Sequence, residues 1–394
     1  MNINTKKLEV QYSILQGAYW ASFCVIYGFA TVFLLSKGFN SAQIGVMIAV
    51  GNVLGVVMQP YFASIADASG KLDLHRLTAL LSGVLAVLLL LLCLAPNWLA
   101  ATAFLFVLSD VFLQVIQPLV NSVSVYYVNR GVQMDFGIAR GVGSLSYAGA
   151  SYVLGLLVEH FGSVTVPLLG LFLMVIVVLT MCSLPVLQEG MQEARQQKKE
   201  SSDISIWRFF GKYKNFTLTL AGITLLFTFH NMSNSYLIQI VSHLGGDSAQ
   251  MGTALSIAAV LELPVMVFFS RLVKRFSSRT LLIVSGMFFV LKALSLLLVG
   301  NMFQLYLQQM LQMGSFALYV PASVYYVNEH MAEQDKFKGQ AVMTGTNTLG
   351  GVLGSLLGGF LLNASGVELM LQVEFAVAAL GGVLVLLSAG KKDE

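Results

Sequence analysis

Long apolar runs, separated by short polar breaks, fill almost the whole sequence and restrict its fold more than any other feature. A helix needs about 20 apolar residues to cross the hydrocarbon core of a membrane. Only 10% of the 394 residues are charged, whereas soluble domains carry roughly 25%. The sequence therefore predicts an all-α integral membrane protein with twelve transmembrane helices, at residues 12–35, 42–66, 76–95, 98–121, 140–161, 164–186, 216–242, 249–270, 280–299, 302–327, 338–362 and 367–389.

The distribution of basic residues predicts the orientation of these helices. All but two of the 22 lysines and arginines fall in the termini, in the breaks after even-numbered helices, or in the polar segment 187–215; the exceptions are Lys37 and Lys292. Because lysine and arginine accumulate on the cytoplasmic side, we expect a multi-pass protein of the cytoplasmic (inner) membrane with both termini cytoplasmic. The net charge of +3 is too small to indicate a nucleic-acid partner.

Two short sequences occur once in each half of the chain. Asn-Ser-Ala-Gln-Ile-Gly at 40–45 opens the second predicted helix, and Asp-Ser-Ala-Gln-Met-Gly at 247–252 opens the eighth. Ser-Val-Tyr-Tyr-Val-Asn ends the fourth helix at 124–129 and the tenth at 323–328. The matches indicate a duplicated six-helix unit with both copies in the same orientation.

The repeat predicts two pseudo-symmetric six-helix bundles, at residues 1–186 and 216–394, joined by a cytoplasmic linker at 187–215. Transporters built from such repeats bind their solute near the membrane midplane at the interface of the repeats. A solute site there is the default expectation.

Uncharged polar side chains concentrate on the first and fourth helices of each half. A polar group in hydrocarbon is unfavourable unless it faces the bundle interior or a wet cavity. We therefore predict that these side chains line a shared cavity, although amides can also hold helices together by hydrogen bonds. The candidate solute-binding residues are Gln16, Trp20, Tyr27, Gln114, Gln117, Asn121, His230, Asn231, Asn234, Gln308 and Gln312.

Ionisable residues within the predicted helices are few. Glu262 and Lys292 lie in the middle of consecutive antiparallel helices, at depths that two long side chains can bridge. An unpaired charge at a helix centre costs about 2.5–3.5 kcal/mol on insertion scales, so we expect the two to pair, either for structure or for proton coupling. Asp110 and Glu374 also lie within helices, and the sequence indicates no pairing group for them.

Signatures of other protein classes are missing from the sequence. There is no G-x-x-x-x-G-K-[ST] segment that would bind ATP phosphates. The three cysteines are far apart, and no cluster of histidine, cysteine and carboxylate residues suggests a metal or a nucleophile. We predict no cofactor, no metal and no enzymatic activity. The glycine rows Gly350–Gly354–Gly358 and Gly51–Gly55 predict close helix–helix contacts.

Several motifs resemble the major facilitator superfamily, in particular the branch of lactose permease, 3-phenylpropionate transporters and nucleoside–proton symporters. The carrying residues are Asp135-Phe136-Gly137 with Arg140 and Gly143-Ser144, then Leu261-Glu262-Leu263-Pro264, Lys292 where that branch has arginine, and Gln59-Pro60 followed by Asp67. The resemblance implies the major facilitator fold over essentially the whole chain. It also implies gating or structural roles for Asp67, Asp135 and Arg140, and a proton-coupling role for Glu262 and Lys292, with Asp110 as a further carboxylate.

The chain departs from that branch at two places. The positions near Asn121 and Gln312, where relatives tend to carry an acidic residue and a histidine, are neutral. Glu262 and Lys292 remain as the coupling pair that the resemblance implies. On this basis we predict a monomeric, lipid-embedded, proton-coupled symporter for a sugar, nucleoside or aromatic acid. The alternatives are an uncoupled facilitator or exchanger, an efflux transporter and, more remotely, a membrane sensor or receptor.

Overall fold

The computed structural model of the chain describes residues 5–67, 73–94, 98–187 and 205–390, and every regular element in these ranges is helical. Most of the predicted linker lies outside the described residues. The helices are α1 (Thr5–Phe23), continued by a π-helix (Cys24–Gly28), α2 (Ala30–Ser36), α3 (Ser41–Asp67), α4 (Leu74–Leu94), α5 (Leu99–Val128), α6 (Phe136–Phe161), α7 (Thr165–Ser183), α8 (Ile206–Lys212), α9 (Lys214–Ser235), α10 (Leu237–His243), α11 (Ser248–Arg275), α12 (Ser278–Leu297), α13 (Met302–Gln309), a 3-10 helix (Met310–Met313), α14 (Phe316–His330), a second 3-10 helix (Glu333–Asp335) and α15 (Lys336–Ser388).

Eight helices in the described ranges are long and apolar enough to cross a membrane, and α1 with α2, bent by 44°, makes a ninth. Two of the predicted runs are interrupted, and two others are joined. The run 216–242 breaks at Tyr236, between α9 and α10, and the run 302–327 is interrupted by the 3-10 helix between α13 and α14. Conversely, α15 runs through both 338–362 and 367–389, with non-helical backbone at Gly366 (φ 80°, ψ −169°).

The repeated hexapeptide has the same local structure in both copies. The Asn40 side chain accepts a hydrogen bond from Gln43 N (2.9 Å), and the Gln43 side chain accepts one from Asn40 N (3.0 Å). Asp247 and Gln250 make the same reciprocal pair at 2.8 and 3.2 Å. Each copy is a capping box that satisfies free N–H groups at a helix start, which explains why α3 and α11 begin where they do.

The second repeated sequence also makes equivalent contacts in both copies. Tyr127, near the end of α5, donates to Pro185 O at 2.8 Å, just beyond the end of α7. Tyr326, near the end of α14, donates to Ala389 O at 3.4 Å, just beyond the end of α15. In each half of the chain a buried tyrosine therefore fixes the end of the last helix.

The predicted glycine contacts are confirmed. A Cβ atom at Gly354 would lie 2.8 Å from Met232 N, and one at Gly358 would lie 2.6 Å from the Tyr236 ring, so this face of α15 packs directly on the backbone of α9. A Cβ atom at Gly55 would lie 2.9 Å from the Gln114 side chain, which sets the close approach of α3 and α5. These contacts hold polar residues of adjacent helices within hydrogen-bonding distance.

The start of α15 is tied to α8 by a buried carboxylate. Asp335 is fully buried and accepts hydrogen bonds from Lys212 Nζ at 2.7 Å and from the Tyr213 hydroxyl at 2.9 Å. The hydrogen bond from Lys212 to Asp335 raises the pKa of this lysine above its ordinary value. The contact fixes the short helix α8 next to the helices that follow it.

The chain divides into two compact units. The first contains Met1–Gln197 together with Asp247–Ser256, and the second contains Lys198–Gly246 together with Ile257–Glu394. The first unit thus holds α1–α7 and the beginning of α11. The second holds α8–α10, the rest of α11 and α12–α15, and the sites of the two units are described separately.

Candidate functional site

In the first unit, Gln16 of α1 is the centre of a buried hydrogen-bond cluster. Its Nε2 donates to the Tyr12 hydroxyl at 2.7 Å and to Asn121 Oδ1 at 3.1 Å, and its Oε1 accepts from Trp20 Nε1 at 3.0 Å. Gln16 has no exposed surface, so its amide is used inside the protein. It holds Trp20 and Asn121, which are both half-buried, in fixed positions.

A row of aromatic rings follows one face of α1 into the π-helix. Trp20 and Phe23 have ring centroids 5.4 Å apart, and Phe23 and Tyr27 are stacked at 5.2 Å. All three are half-buried. The adjacent Tyr19 is fully buried and donates to Leu113 O of α5 at 2.9 Å. The hydrogen bond of Tyr19 fixes α1 against α5, while the three rings of the row keep part of their surface accessible.

Arg140, at the start of α6, lies on this aromatic row. Its guanidinium carbon is 3.9 Å from the Trp20 ring centroid, and its Nη1 donates to Ser144 Oγ at 2.9 Å. Gly143 leaves room for the ring, since a Cβ atom there would lie 2.7 Å from Trp20 Cδ1. The Arg-x-x-Gly-Ser motif thus packs around a tryptophan.

Two acidic residues predicted from the resemblance are at helix ends. Asp135 is exposed and caps α6, where its Oδ1 accepts from Ile138 N at 3.0 Å. This bond explains why α6 begins at Phe136 and not at the predicted residue 140. Asp67 is the last residue of α3.

Asp110 has a hydrogen-bond partner that the sequence did not indicate. Its Oδ2 accepts from Gln114 Nε2 at 3.1 Å, and Gln114 also donates to Asn52 Oδ1 of α3 at 3.1 Å. Gln59 of α3 donates to the Gln114 carbonyl at 3.1 Å. Asp110 and Gln114 are buried, so here the amide holds two helices together.

The polar stripe predicted along the fourth helix therefore does not face one environment. Asp110 and Gln114 contact α3, whereas Asn121 contacts α1 and Gln117 is half-buried. Within the described residues, Asp110 Oδ1 and Asn52 Nδ2 are buried atoms without a hydrogen bond.

In the second unit, Gln312 joins the two predicted coupling residues. Its Oε1 accepts from Lys292 Nζ at 2.5 Å, and its Nε2 donates to Glu262 Oε1 at 2.9 Å. Lys292 and Gln312 are 3% and 6% exposed, and Glu262 is half-buried. The expected proximity of Glu262 and Lys292 is present, with an amide connecting them.

The interruption between α13 and α14 holds Gln312 in place. Gln312 belongs to the 3-10 helix, and Gly314 lies directly on the Phe288 ring of α12, where no side chain would fit. Gln308 donates to the Lys292 carbonyl at 3.1 Å, and Ser285 donates to the Ser315 carbonyl at 2.8 Å. These bonds join the interrupted segment to α12.

The polar residues of α9 lie in two different surroundings. His230 is buried, its ring is stacked on Phe316 at 5.1 Å, and its Nε2 is 3.1 Å from Asn234 Nδ2. Asn231 donates to Phe227 O at 2.9 Å and to Asn347 Oδ1 of α15 at 3.1 Å. Asn347 is not among the predicted site residues, because it lies in a stretch of threonines and glycines at 344–348, where an amide does not stand out.

Burial separates the predicted solute-binding residues into two groups. Five are buried and used in internal hydrogen bonds or ring contacts, namely Gln16, Gln114, His230, Gln308 and Gln312. Six are half-buried and retain accessible surface, namely Trp20, Tyr27, Gln117, Asn121, Asn231 and Asn234. The second group contains the better candidates for direct contact with a solute. Of the first group, Gln16 contacts Trp20 and Asn121, and His230 contacts Asn234.

A separate groove of about 940 Å³ lies among α1, α6 and α7 of the first unit. Its lining is mostly apolar, as at Ile14, Val142 and Leu173, and contains none of the predicted solute-binding residues. It suits lipid chains better than a polar solute. No group of three or more metal-ligating side chains occurs in the described ranges.

Comparison with known proteins places the chain in a family. The family model described as "MFS_1 like family" matches residues 10–373. Maltose permease of Geobacillus stearothermophilus is 25% identical over 384 residues, which cover 94% of this chain and 93% of the relative.

Solved transporters share the fold. A mutant form of the nucleoside transporter NupG superposes with a TM-score of 0.82 at 18% identity, over 98% of this chain and all of that one. The POT family transporter PepTSo has a TM-score of 0.71 at 11% identity, over 97% of each chain. The chain therefore belongs to the MFS_1 like family of the major facilitator superfamily, and it is a multi-pass membrane transporter of small solutes, not an enzyme.

Proposed function

We propose that the chain is a proton-coupled symporter that moves a sugar, a nucleoside or an aromatic acid across the cytoplasmic (inner) membrane by alternating access. The Glu262–Gln312–Lys292 network carries the coupling part of this proposal. It contains a carboxylate that can gain or lose a proton and a cation that responds to the change. A ligand shifts a conformational equilibrium only by its differential affinity for the two states. A proton on Glu262 would have that effect, because protonation removes its attraction to Lys292.

The solute part rests on the half-buried residues of each unit. Trp20 and Tyr27 offer ring faces to a flat or ring-shaped solute, and Asn121, Asn231 and Asn234 offer amide donors and acceptors. Stacking combined with amide hydrogen bonds suits sugars and nucleosides, which carry rings and hydroxyls. The names of the maltose permease and the nucleoside transporter agree with this class. An aromatic acid stays the third solute class, because the Arg140 guanidinium lies 3.9 Å from the Trp20 ring centroid and offers a cation to its carboxylate.

We further propose twelve membrane spans in two six-helix halves, with both termini cytoplasmic. The 53 residues of α15 would reach about 80 Å as one straight helix, whereas a hydrocarbon core is about 30 Å thick. The non-helical backbone at Gly366 therefore favours two spans in α15. The interrupted pairs α9–α10 and α13–α14 each have the length of one span.

An uncoupled facilitator or exchanger is the second candidate, because Asn121 and Gln312 are neutral where related symporters tend to carry ionisable residues. A thermal-shift screen of the purified protein against maltose, uridine and 3-phenylpropionate selects the solute. Flux of that solute into proteoliposomes, with and without an imposed proton gradient, then decides between the candidates. Accumulation above equilibrium only with the gradient supports symport. Equilibration at the same level in both conditions would replace it with the facilitator.

A further inference from the structure

A second carboxylate of the second unit has no assigned role. Glu374 lies in the part of α15 that follows Gly366, and it is 1% exposed. Its Oε2 accepts from Ser233 Oγ of α9 at 3.0 Å. Among the described residues nothing makes a hydrogen bond with Oε1, which is also buried. One hydrogen bond offsets only a small part of the free energy that an ionised carboxylate loses when it is removed from water into packed helices.

A cation that interacts with this carboxylate already belongs to the coupling network. Lys292 interacts electrostatically with both Glu262 and Glu374, while its ammonium is hydrogen-bonded to the neutral amide of Gln312. If all three ionisable groups were charged, the trio would carry a net charge of −1. A net charge inside a membrane-spanning bundle is unfavourable, and one bound proton removes it.

The surroundings indicate which carboxylate holds that proton. Glu262 is half-buried and receives a hydrogen bond from Gln312, so its charged form is partly compensated. Glu374 is more deeply buried, and within the described part of the chain it accepts a hydrogen bond only from the Ser233 hydroxyl. A protonated Glu374 fits these surroundings better than an ionised one.

Other titratable groups near Glu374 do not supply a second cation that would balance its negative charge in place of the proton. From α9, His230 lies among aromatic rings. From α12, Lys292 interacts with Glu374, whereas Arg279, at the start of that helix, contacts His330 of α14. On its own helix the nearest acid is Glu368, which is exposed.

We propose that Glu374 is a proton-binding residue, so that Glu262, Lys292 and Glu374 together hold one exchangeable proton. When the O–H bond of the Glu374 carboxyl breaks, the proton passes to water. The carboxylate that remains attracts the Lys292 ammonium away from Gln312 and Glu262. The inference deepens the proposed proton coupling and rests on it for its functional meaning.

Infrared spectroscopy of the purified full-length protein tests the proposal without any solute. Protonated carboxyl groups absorb at a frequency distinct from carboxylates, and their band shifts in D₂O. We expect Glu374→Gln to remove one protonated-carboxyl band, whereas Glu368→Gln, a change of the same type at an exposed position of α15, leaves that band unchanged. A full band intensity in Glu374→Gln would overturn the proposal.

A milder variant covers the case in which Glu374→Gln does not fold. Ser233→Ala keeps the acid but removes its hydrogen bond, so the band should move in frequency without losing intensity. No change in that band would also contradict the assignment.

Flux measurements separate this inference from the proposed function. With uridine and maltose as probes, proton-driven accumulation should fall to equilibrium in Glu374→Gln and stay at the parent level in Glu368→Gln. If the parent protein is uncoupled but the band disappears in Glu374→Gln, the symport proposal fails and the proton-binding assignment stands. If the parent is coupled and the band persists in Glu374→Gln, the symport proposal stands and the proton-binding assignment fails.

Discussion

Replacing Gln312 by leucine removes the amide between Lys292 and Glu262 at nearly constant volume. Both lost hydrogen bonds involve ionised groups, and such bonds contribute roughly 1.5–3 kcal/mol each. Lys292 is 3% exposed, so water cannot easily replace the amide at its ammonium. A total loss of about 3 kcal/mol is therefore the lower expectation for Gln312→Leu.

Calorimetry of the purified full-length protein measures this loss. In domains of about 150–250 residues, a loss of 1 kcal/mol lowers the unfolding temperature by about 2–4 °C. Gln312→Leu should therefore lower it by about 6–12 °C. The matched control is Gln334→Leu, at an exposed position of the second 3-10 helix, which should change stability by no more than about 0.5 kcal/mol. If the two variants unfold at the same temperature, Gln312 does not hold the buried ammonium, and the network as described is refuted.

Four further outcomes are expected. Glu262→Gln should abolish accumulation driven by a proton gradient but leave solute exchange largely intact, and retained accumulation in flux assays would exclude its coupling role. A cysteine at the half-buried Gln117 should react with a water-soluble thiol reagent at least ten times faster than one at the buried Gln114; equal rates would contradict their different surroundings. Arg140→Lys keeps the charge but loses the planar group that stacks on tryptophan, so transport should fall several-fold, and undiminished flux would rule out a specific role for the guanidinium. Asp335→Asn should lower the free energy of unfolding by about 1–2 kcal/mol at neutral pH. Because the carboxylate raises the pKa of Lys212, this difference in stability between parent and variant should narrow above the ordinary lysine pKa of about 10.4. A difference in thermal unfolding that does not depend on pH would count against the ion pair.

The sequence predicted helix positions well because apolar runs of membrane length leave few alternatives. It also predicted the contact of the glycine row with another helix, since only a close approach of two backbones requires small residues at every fourth position. It failed at breaks such as Tyr236, where no proline or glycine marks the end of α9.

Polar contacts were harder to predict than helices. The spacing of Asp110, Gln114 and Asn121 correctly put them on one face of a helix, but the rotation of that helix against its neighbours decides what each side chain meets. Gln312 was predicted as a site residue, but its position between Lys292 and Glu262 depends on a 3-10 helix that no sequence pattern predicted. The contact of Ser233 with Glu374 joins residues far apart in the chain, and no local pattern encodes it.

The backbone break at Gly366 affects how the second unit can move. The part of α15 before the break packs its glycine row on α9, and the part after it approaches the same helix closely, where a Cβ atom at Gly381 would lie 2.8 Å from Gly222 O. The helix α9 is thus held by two consecutive segments of α15, and neither segment can slide along α9 without the other. We expect α9 and α15 to behave as a stiff block during the transport cycle. A Cβ atom at Gly382 of α15 would lie directly against the Val290 side chain of α12, so α12 belongs to the same block. Displacements inside this unit would then be confined to α11 and the interrupted α13–α14 segment, the elements that carry Glu262 and Gln312.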